Sequence, residues 1–104
     1  MIRIDIKRRN HLISQITISG HAEADVKGKD LVCAGVSCIA IGALNALNEQ
    51  CLKCDLQMKE GFIQITNNLL SDRKAQIMLE MLRVQLVTMQ ESYKNYIKVT
   101  DQEV

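Results

Sequence analysis

The architecture depends most on residues 31–49, which have the sequence LVCAGVSCIAIGALNALNE. This segment is too long for one strand, lacks the alternation of a strand, and is rich in Ala, Gly and Ser. These properties indicate a buried helix whose small side chains let it lie close to a sheet or to a partner subunit. Asp30 precedes the segment and is the expected N-cap, because its carboxylate can accept the free backbone N–H groups of the first helical turn.

Alternating apolar and polar residues on both sides of this helix predict five strands. The predicted strands cover residues 2–7, 15–19, 52–59, 62–66 and 96–100. The first two are expected to pair as a hairpin with its turn at Arg9-Asn10, and the next two flank a turn at Glu60-Gly61.

A second helix is predicted between the fourth strand and the fifth. Ser71 is its expected N-cap. Its apolar face consists of Ala75, Met78, Leu79, Leu82, Leu86 and Met89. The predicted order is therefore β-β-α-β-β-α-β, an α/β (α+β) domain of residues 1–104 with one mixed sheet and two helices. The pattern supplies one apolar sheet face and leaves open whether a second subunit covers the other.

The composition is that of an ordinary globular domain, with 104 residues, 47% of them apolar, 24% charged, and a net charge of +1. Such a charge argues against a protein that coats nucleic acid, and three aromatic residues are too few for base stacking. Direct nucleic-acid binding is therefore not expected. The one basic cluster, residues 7–9 (KRR), is expected in a solvated turn, with an RNA contact as the alternative.

No apolar run is expected to be long enough to cross a bilayer, and the start MIRIDIKRRN lacks the apolar stretch of a signal peptide. We therefore expect a cytoplasmic protein that begins at Met1 and makes no membrane contact. In that compartment the four cysteines are expected to be reduced thiols. No cofactor is implied.

Two residues that flank a polar, glycine-containing loop carry the predicted chemistry. His21 follows the second strand, and Cys33 lies in the first turn of the predicted helix. A helix N-terminus stabilises a thiolate, and a nearby imidazole can accept and return a proton. The N–H groups of Cys33 and Ala34 are candidate donors to the oxyanion of an acyl-transfer intermediate. Each residue also has a structural interpretation, with Cys33 in the core and His21 in a solvated loop.

A family resemblance favours the catalytic interpretation. Gly20-His21-Ala22, followed by residues 30–37 with the sequence DLVCAGVS, resembles the paired motifs of the ribosomal-processing cysteine proteases called Prp. The resemblance extends over the whole chain, in its length and in the order of its elements. It implies a homodimeric cysteine endopeptidase that removes a short N-terminal extension from large-ribosomal-subunit protein twenty-seven.

The resemblance also implies roles for individual residues. Cys33 would be the nucleophile and His21 the general base, whereas Asp30 and Ser37 match motif positions with less defined roles. Asp30 is expected to cap the helix, with orientation of His21 as the alternative. Ser37 lies on the same helix face as Cys33 and serves either hydrogen bonding near the site or close packing. We interpret the loop from His21 to Asp30 as a lid that closes on a peptide substrate.

The remaining cysteines raise a rival interpretation as a zinc or redox site. Cys51 and Cys54 form a C-x-x-C pair, and Cys33 and Cys38 would complete a four-thiolate set. Residues five apart in a helix point about 140° away from each other. A C-x-x-C pair that enters a strand also lacks the helix N-terminus of redox motifs. The geometry therefore argues against both kinds of site, and no metal is expected.

Two further alternatives concern function rather than metal. The chain would be a non-catalytic, ribosome-associated dimeric adaptor if Cys33 were only a core residue. A deamidase or thioesterase would use the same Cys-His dyad as a protease. Fast alkylation of Cys33 below pH 7 separates the adaptor from the hydrolases, whereas only the family resemblance separates a protease from other cysteine hydrolases.

Overall fold

The computed structural model describes residues 1–25, 30–51 and 53–104. The elements are β1 (Ile2–Arg9), β2 (Leu12–Gly20), α1 (Leu31–Gln50), β3 (Cys54–Lys59), β4 (Phe62–Asn67), α2 (Arg73–Ser92) and β5 (Ile97–Glu103). This order confirms the predicted β-β-α-β-β-α-β sequence of elements. It also confirms the single mixed sheet and the two helices.

The five strands lie in the order β3-β4-β2-β1-β5. All neighbouring pairs are antiparallel except β1 and β5, which are parallel. The parallel pair follows from connectivity, because a strand that returns through a helix can lie in the same direction as its neighbour, whereas a tight hairpin reverses the chain. The β1–β2 and β3–β4 hairpins are therefore joined through the β2–β4 contact.

The sheet has one apolar face and one polar face. Residues paired across strands point to the same side, and Ile6, Ile16 and Ile65 form a fully buried row. On the opposite face, Thr17 lies between Asp5 and Gln64 in the same register pattern. The second face is thus polar, whereas the helices pack against each other and against the apolar face.

The caps explain where the two helices begin. Asp30 caps α1 as predicted, because its side chain accepts the N–H of Cys33. The cap of α2 is Asp72, whose side chain accepts the N–H of Ala75. The prediction of Ser71 as the cap was wrong by one residue. The apolar face predicted for α2 is confirmed, with Ala75, Met78, Leu79, Leu82, Leu86 and Met89 all buried or partly buried.

Three further predictions need correction. The first hairpin turns at Asn10 and His11, whose φ angles of 50° and 67° follow the twist of the strands, rather than at Arg9-Asn10. The basic cluster lies within β1 rather than in a turn, and Lys7 and Arg9 are exposed as expected, whereas Arg8 is only partly exposed. Its guanidinium bonds Asp101 and Glu80, and the side chain is 17% exposed. The last strand starts at Ile97 and continues to Glu103.

The expectation about apolar length was also wrong. Within the part of the chain that the structure describes, α1 is long and apolar enough to span a membrane by length and composition alone, with a mean hydropathy of 1.8. Core helices pass the same test. Val32, Val36, Ala40, Leu44 and Leu47, at the spacing of one helix face, belong to the buried core.

Candidate active site

Cys33 is half-buried in the first turn of α1, where Asp30 holds its backbone. The Asp30 carboxylate accepts the Cys33 N–H at 3.0 Å and the Ala24 N–H at 2.9 Å. The bond from Cys33 is the largest cause of a lowered pKa of Asp30, which keeps its carboxylate charged. The predicted cap role is therefore confirmed. Among the hydrogen bonds of the described residues, none joins Asp30 to His21.

The amides predicted as oxyanion donors are both occupied. Cys33 N–H donates to the Asp30 side chain, and Ala34 N–H donates to the Asp30 carbonyl at 3.0 Å. The cap residue takes these bonds because its side chain reaches the third residue of the helix and its carbonyl the fourth. The prediction that the N–H groups of Cys33 and Ala34 are free donors was therefore wrong.

Gly20 sets the direction in which the chain leaves β2 and so places His21. Its φ is +89°, and a Cβ there would lie 2.4 Å from the Met1 carbonyl oxygen, so only glycine fits. Its N–H donates to the Gly61 carbonyl at 2.9 Å, which ties the end of β2 to the β3–β4 turn. Across the described residues, no hydrogen bond joins His21 to the Cys33 thiol.

Two cavities meet where His21 and Cys33 lie. The first has a volume of about 260 Å³ and is mainly apolar, with Ile18, Val36, Ala40, Met58, Phe62 and Ile63 among its walls. The second, of about 520 Å³, extends toward Asp30 and the loop that follows His21. His21, Cys33, Ser37 and Glu60 line both cavities. The structure thus brings the predicted residues Cys33, His21, Asp30 and Ser37 to one place.

The β3–β4 hairpin contributes residues that the sequence did not indicate. Glu60 and Gly61 were predicted only as a turn, and Met58 only as part of the strand over residues 52–59. Met58 is 60% exposed at the rim of the apolar cavity. The hairpin reaches His21 because β4 pairs with β2, with Phe62 opposite Ser19. Local sequence patterns carry no signal for that pairing.

The other three thiols differ from Cys33 in position. Burial raises the pKa of Cys54 to about 11 and also raises the pKa of Cys51, since a low-polarity environment disfavours the thiolate. Cys51 lies against the Met78 sulfur at 3.6 Å, and Cys38 is exposed. Within residues 1–25, 30–51 and 53–104, no three His, Cys, Asp or Glu side chains lie together as metal ligands would.

The chain is similar in sequence to known proteases over nearly its whole length. A family model described as cysteine protease Prp matches residues 1–98. The ribosomal processing cysteine protease Prp of Bacillus subtilis is 32% identical over 108 residues, which cover 96% of this chain and 96% of that protein.

The fold leads to the same family. A crystal structure of an essential ribosomal processing protease Prp from S. aureus, in complex with a covalently linked product peptide, aligns with a TM-score of 0.92 and 27% identity, covering 98% of this chain and all of that one. The same protease in complex with a substrate peptide aligns with a TM-score of 0.86 and 26% identity, covering 98% and 100%. The chain belongs to the ribosomal processing cysteine protease Prp family.

Proposed function

We propose that this cysteine protease is an endopeptidase that removes the short N-terminal extension of large-ribosomal-subunit protein twenty-seven. The observation that best supports proteolysis is the position of Cys33. It lies at the N-terminus of α1, on the wall of two cavities that His21 also lines. A helix N-terminus stabilises a thiolate, and a cavity beside it gives a peptide access to the sulfur.

The proposed mechanism is acyl transfer by a Cys33–His21 dyad. The Cys33 thiolate attacks the scissile carbonyl carbon, and the His21 imidazolium gives its proton to the leaving amine as the C–N bond breaks. The extension then remains as a thioester on Cys33. His21 next takes a proton from water, which attacks the thioester and restores the thiol. A covalently linked product peptide in the S. aureus relative supports a covalent step of this kind.

Asp30 supports this mechanism through the backbone rather than through His21. Its carboxylate bonds the amides of Cys33 and Ala24 at once, so it holds the start of the loop against the start of α1. Ser37 lies one turn after Cys33 and lines both cavities. Its hydroxyl is therefore in position to contact the bound peptide rather than to fill the core.

The apolar cavity is the proposed site for a large apolar side chain of the extension. Val36 and Ala40 of α1 form one wall, and Met58 and Phe62 of the hairpin form the other. A volume of about 260 Å³ holds one large side chain rather than a folded segment. A substrate peptide in the S. aureus relative supports the same class of ligand, an extended peptide.

The loop between His21 and Asp30 is proposed to close over the bound peptide. Part of the predicted lid, residues 26–29, lies outside the described residues. The bond from the Ala24 N–H to Asp30 fastens the remainder of the loop to α1. Amide exchange measured with and without a substrate peptide tests the lid. Exchange in this loop that is equally slow in both states would contradict closure.

We also propose that two copies associate through the outer surface of the helices. Ile77, Met81 and Val84 form a stripe along α2 and are 67%, 59% and 50% exposed. They lie three to four residues apart and so share one face. A twofold contact lets each stripe cover the other, which removes both from water. Light scattering on Met81→Lys tests this, since a dimer that persists unchanged would exclude the stripe as the interface.

The cytoplasm is the proposed place of action, because the four cysteines stay reduced there and the proposed substrate is a ribosomal protein. Cell fractionation followed by detection of the chain tests this. A membrane-bound pool of the chain would contradict this proposal. It would also indicate that α1, which is long and apolar enough to span a membrane, contacts one.

The proposed reaction is tested with purified protein twenty-seven that carries its extension, with products read by mass. The wild type is expected to cut one bond, and Cys33→Ala is expected to cut none. Cys38→Ala is expected to cut the same bond at the wild-type rate. Cys38 is the matched control, because it lies on the same helix but lines neither of the two cavities at the site. Cleavage that survives in Cys33→Ala would overturn the assignment of the nucleophile.

A further inference from the structure

The two hairpin turns of this chain use different residues in the same backbone region. The β1–β2 turn places Asn10 at a φ of 50° and His11 at 67°, both with side chains. The β3–β4 turn places Gly61 at a φ of 70°. Because this fold holds two L-residues at positive φ in one hairpin, the φ angle alone does not explain why the other hairpin has a glycine.

The space above Gly61 is taken by the imidazole of His21. A Cβ on Gly61 would lie 2.9 Å from Nε2, 3.5 Å from Cε1 and 3.6 Å from Cδ2 of that ring. The nearest atom and its two bonded neighbours form the tip of the imidazole, so the tip points at the turn. A separation of 2.9 Å is too short for carbon and nitrogen in van der Waals contact.

The backbone on both sides of this contact is held in place, so the imidazole ring is the part that can move. The Gly20 N–H donates to the Gly61 carbonyl at 2.9 Å, and Gly20 immediately precedes His21 in the chain. The next residue pair, Ser19 and Phe62, belongs to the β2–β4 ladder. A side chain at position 61 would therefore displace the imidazole rather than the turn. The displaced ring would leave the wall of the cavities that it shares with Cys33.

We propose that Gly61 is a positioning residue for His21. Its missing side chain leaves a recess in the β3–β4 turn that seats the tip of the imidazole, and this seat keeps the ring beside the two cavities at Cys33. The effect on catalysis rests on the proposed dyad, whereas the seat itself is a packing contact that can be measured without any substrate.

The first test measures the contact through stability. Gly61→Asn is the informative variant, because asparagine tolerates positive φ yet carries a Cβ. Its loss of Tm is expected to be slightly but measurably larger in the wild-type background than in His21→Ala, because the imidazole must leave its contact with the turn, whereas no ring opposes the new side chain in His21→Ala. Equal losses of Tm in the two backgrounds would overturn the proposal. This outcome does not depend on whether the chain cleaves any particular protein.

The second test measures the consequence for catalysis. Gly61→Asn is expected to lower kcat at least about tenfold with a much smaller change in KM, since a catalytic group moved by about 1 Å loses activity steeply. Alkylation of Cys33 at pH 6.5 should slow toward the rate of His21→Ala. An unchanged or increased kcat would overturn the positioning role.

Asn10→Ala is the matched control, because it strains the turn of the other hairpin at a φ of 50°. It is expected to lower Tm and to leave kcat unchanged. If the wild type itself fails to cleave protein twenty-seven, the proposed substrate is wrong. The comparison of Tm losses for Gly61→Asn in the wild-type and His21→Ala backgrounds then still tests the contact between Gly61 and His21.

Discussion

The two ends of the sheet differ in how their polar groups are bonded. At one end, Arg8 of β1 bonds Asp101 of β5 at 2.7 Å and Glu80 of α2 at 3.0 Å, and Gln76 of α2 bonds both backbone groups of Ile13. At the other end lie His21 and Cys33, beside two cavities and with no hydrogen bond between them in the described part of the chain.

The difference separates stability from function between the two ends of the sheet. At the Arg8 end, ion pairs and hydrogen bonds join the sheet to α2, whereas the His21 end places a thiol and an imidazole on the walls of two cavities that a substrate can enter. At the His21 end, Asp30 caps the first turn of α1, and Gly20 and Gly61 leave room for the close approach of neighbouring atoms. Changes at the Arg8 end should therefore affect unfolding, and changes at the His21 end should affect turnover.

The largest expected effect is at the catalytic end. Cys33→Ala should reduce cleavage by about three orders of magnitude or more, because no other cysteine among the described residues lines the two cavities. Its Tm should change little, since a half-buried side chain loses only its sulfur. Cleavage rates and thermal unfolding, measured on the same preparation, check the expected loss of activity and the expected small change in Tm. A large loss of Tm with most of the activity retained would contradict the proposal that changes at the His21 end affect turnover rather than stability.

Thiol reactivity should follow the same division. At pH 8 a thiol with a pKa of about 11 is ionised to roughly one part in a thousand, so Cys54 should react very slowly with iodoacetamide. Cys51 is buried with a raised pKa and should also be slow. Cys33 should react first, and peptide mapping after brief labelling reads the order. Labelling of Cys54 before Cys33 would contradict the assignment.

At the other end, Arg8→Met should lower the free energy of unfolding by about 1–3 kcal/mol, because Asp101 loses its guanidinium partner and Glu80 keeps only its bond to Arg83. Its kcat should stay at the wild-type value. Arg3→Met is the matched control, since Arg3 lies on the same strand but is exposed, and it should cost less than about 0.5 kcal/mol. Urea denaturation gives the two values. Equal costs would show that the ion pairs contribute nothing.

The smallest expected effect is a dependence on acid. The hydrogen bond from Arg8 lowers the pKa of Glu80 below 4.5, so the folded state binds this proton less readily than the unfolded state. The stabilisation is complete above the unfolded pKa and is lost as pH falls through the lower, folded value. Glu80→Gln should therefore flatten the loss of stability below about pH 5. If the free energy of unfolding fell equally with pH in the wild type and in Glu80→Gln, this contribution of Glu80 would be excluded.

Much of the fold was predictable because its signals are local. Alternation gave the strands, helical spacing gave the buried face of α2, and Asp30 before an apolar run gave the cap of α1. The misplaced cap at Ser71 shows the limit of this reasoning, because Asp72 has a similar capping tendency one residue later.

The parts that escaped prediction depend on long-range pairing. Arg8 was expected in solvent, yet its partners Glu80 and Asp101 lie 72 and 93 residues away in sequence. Gly61 meets His21 only because β4 pairs with β2. Turn signals place a glycine in a turn, but they carry no information about which side chain lies above it.

The proposed mechanism requires that Cys33 becomes acylated by the extension of its substrate. The most direct measurement is the intact mass of the protease after acid quenching during cleavage of extended protein twenty-seven, with the modified residue located by peptide mapping. We expect a transient adduct of the mass of the extension on Cys33, and no adduct in Cys33→Ala. An adduct on Cys38, Cys51 or Cys54, or cleavage that continues in Cys33→Ala, would contradict it.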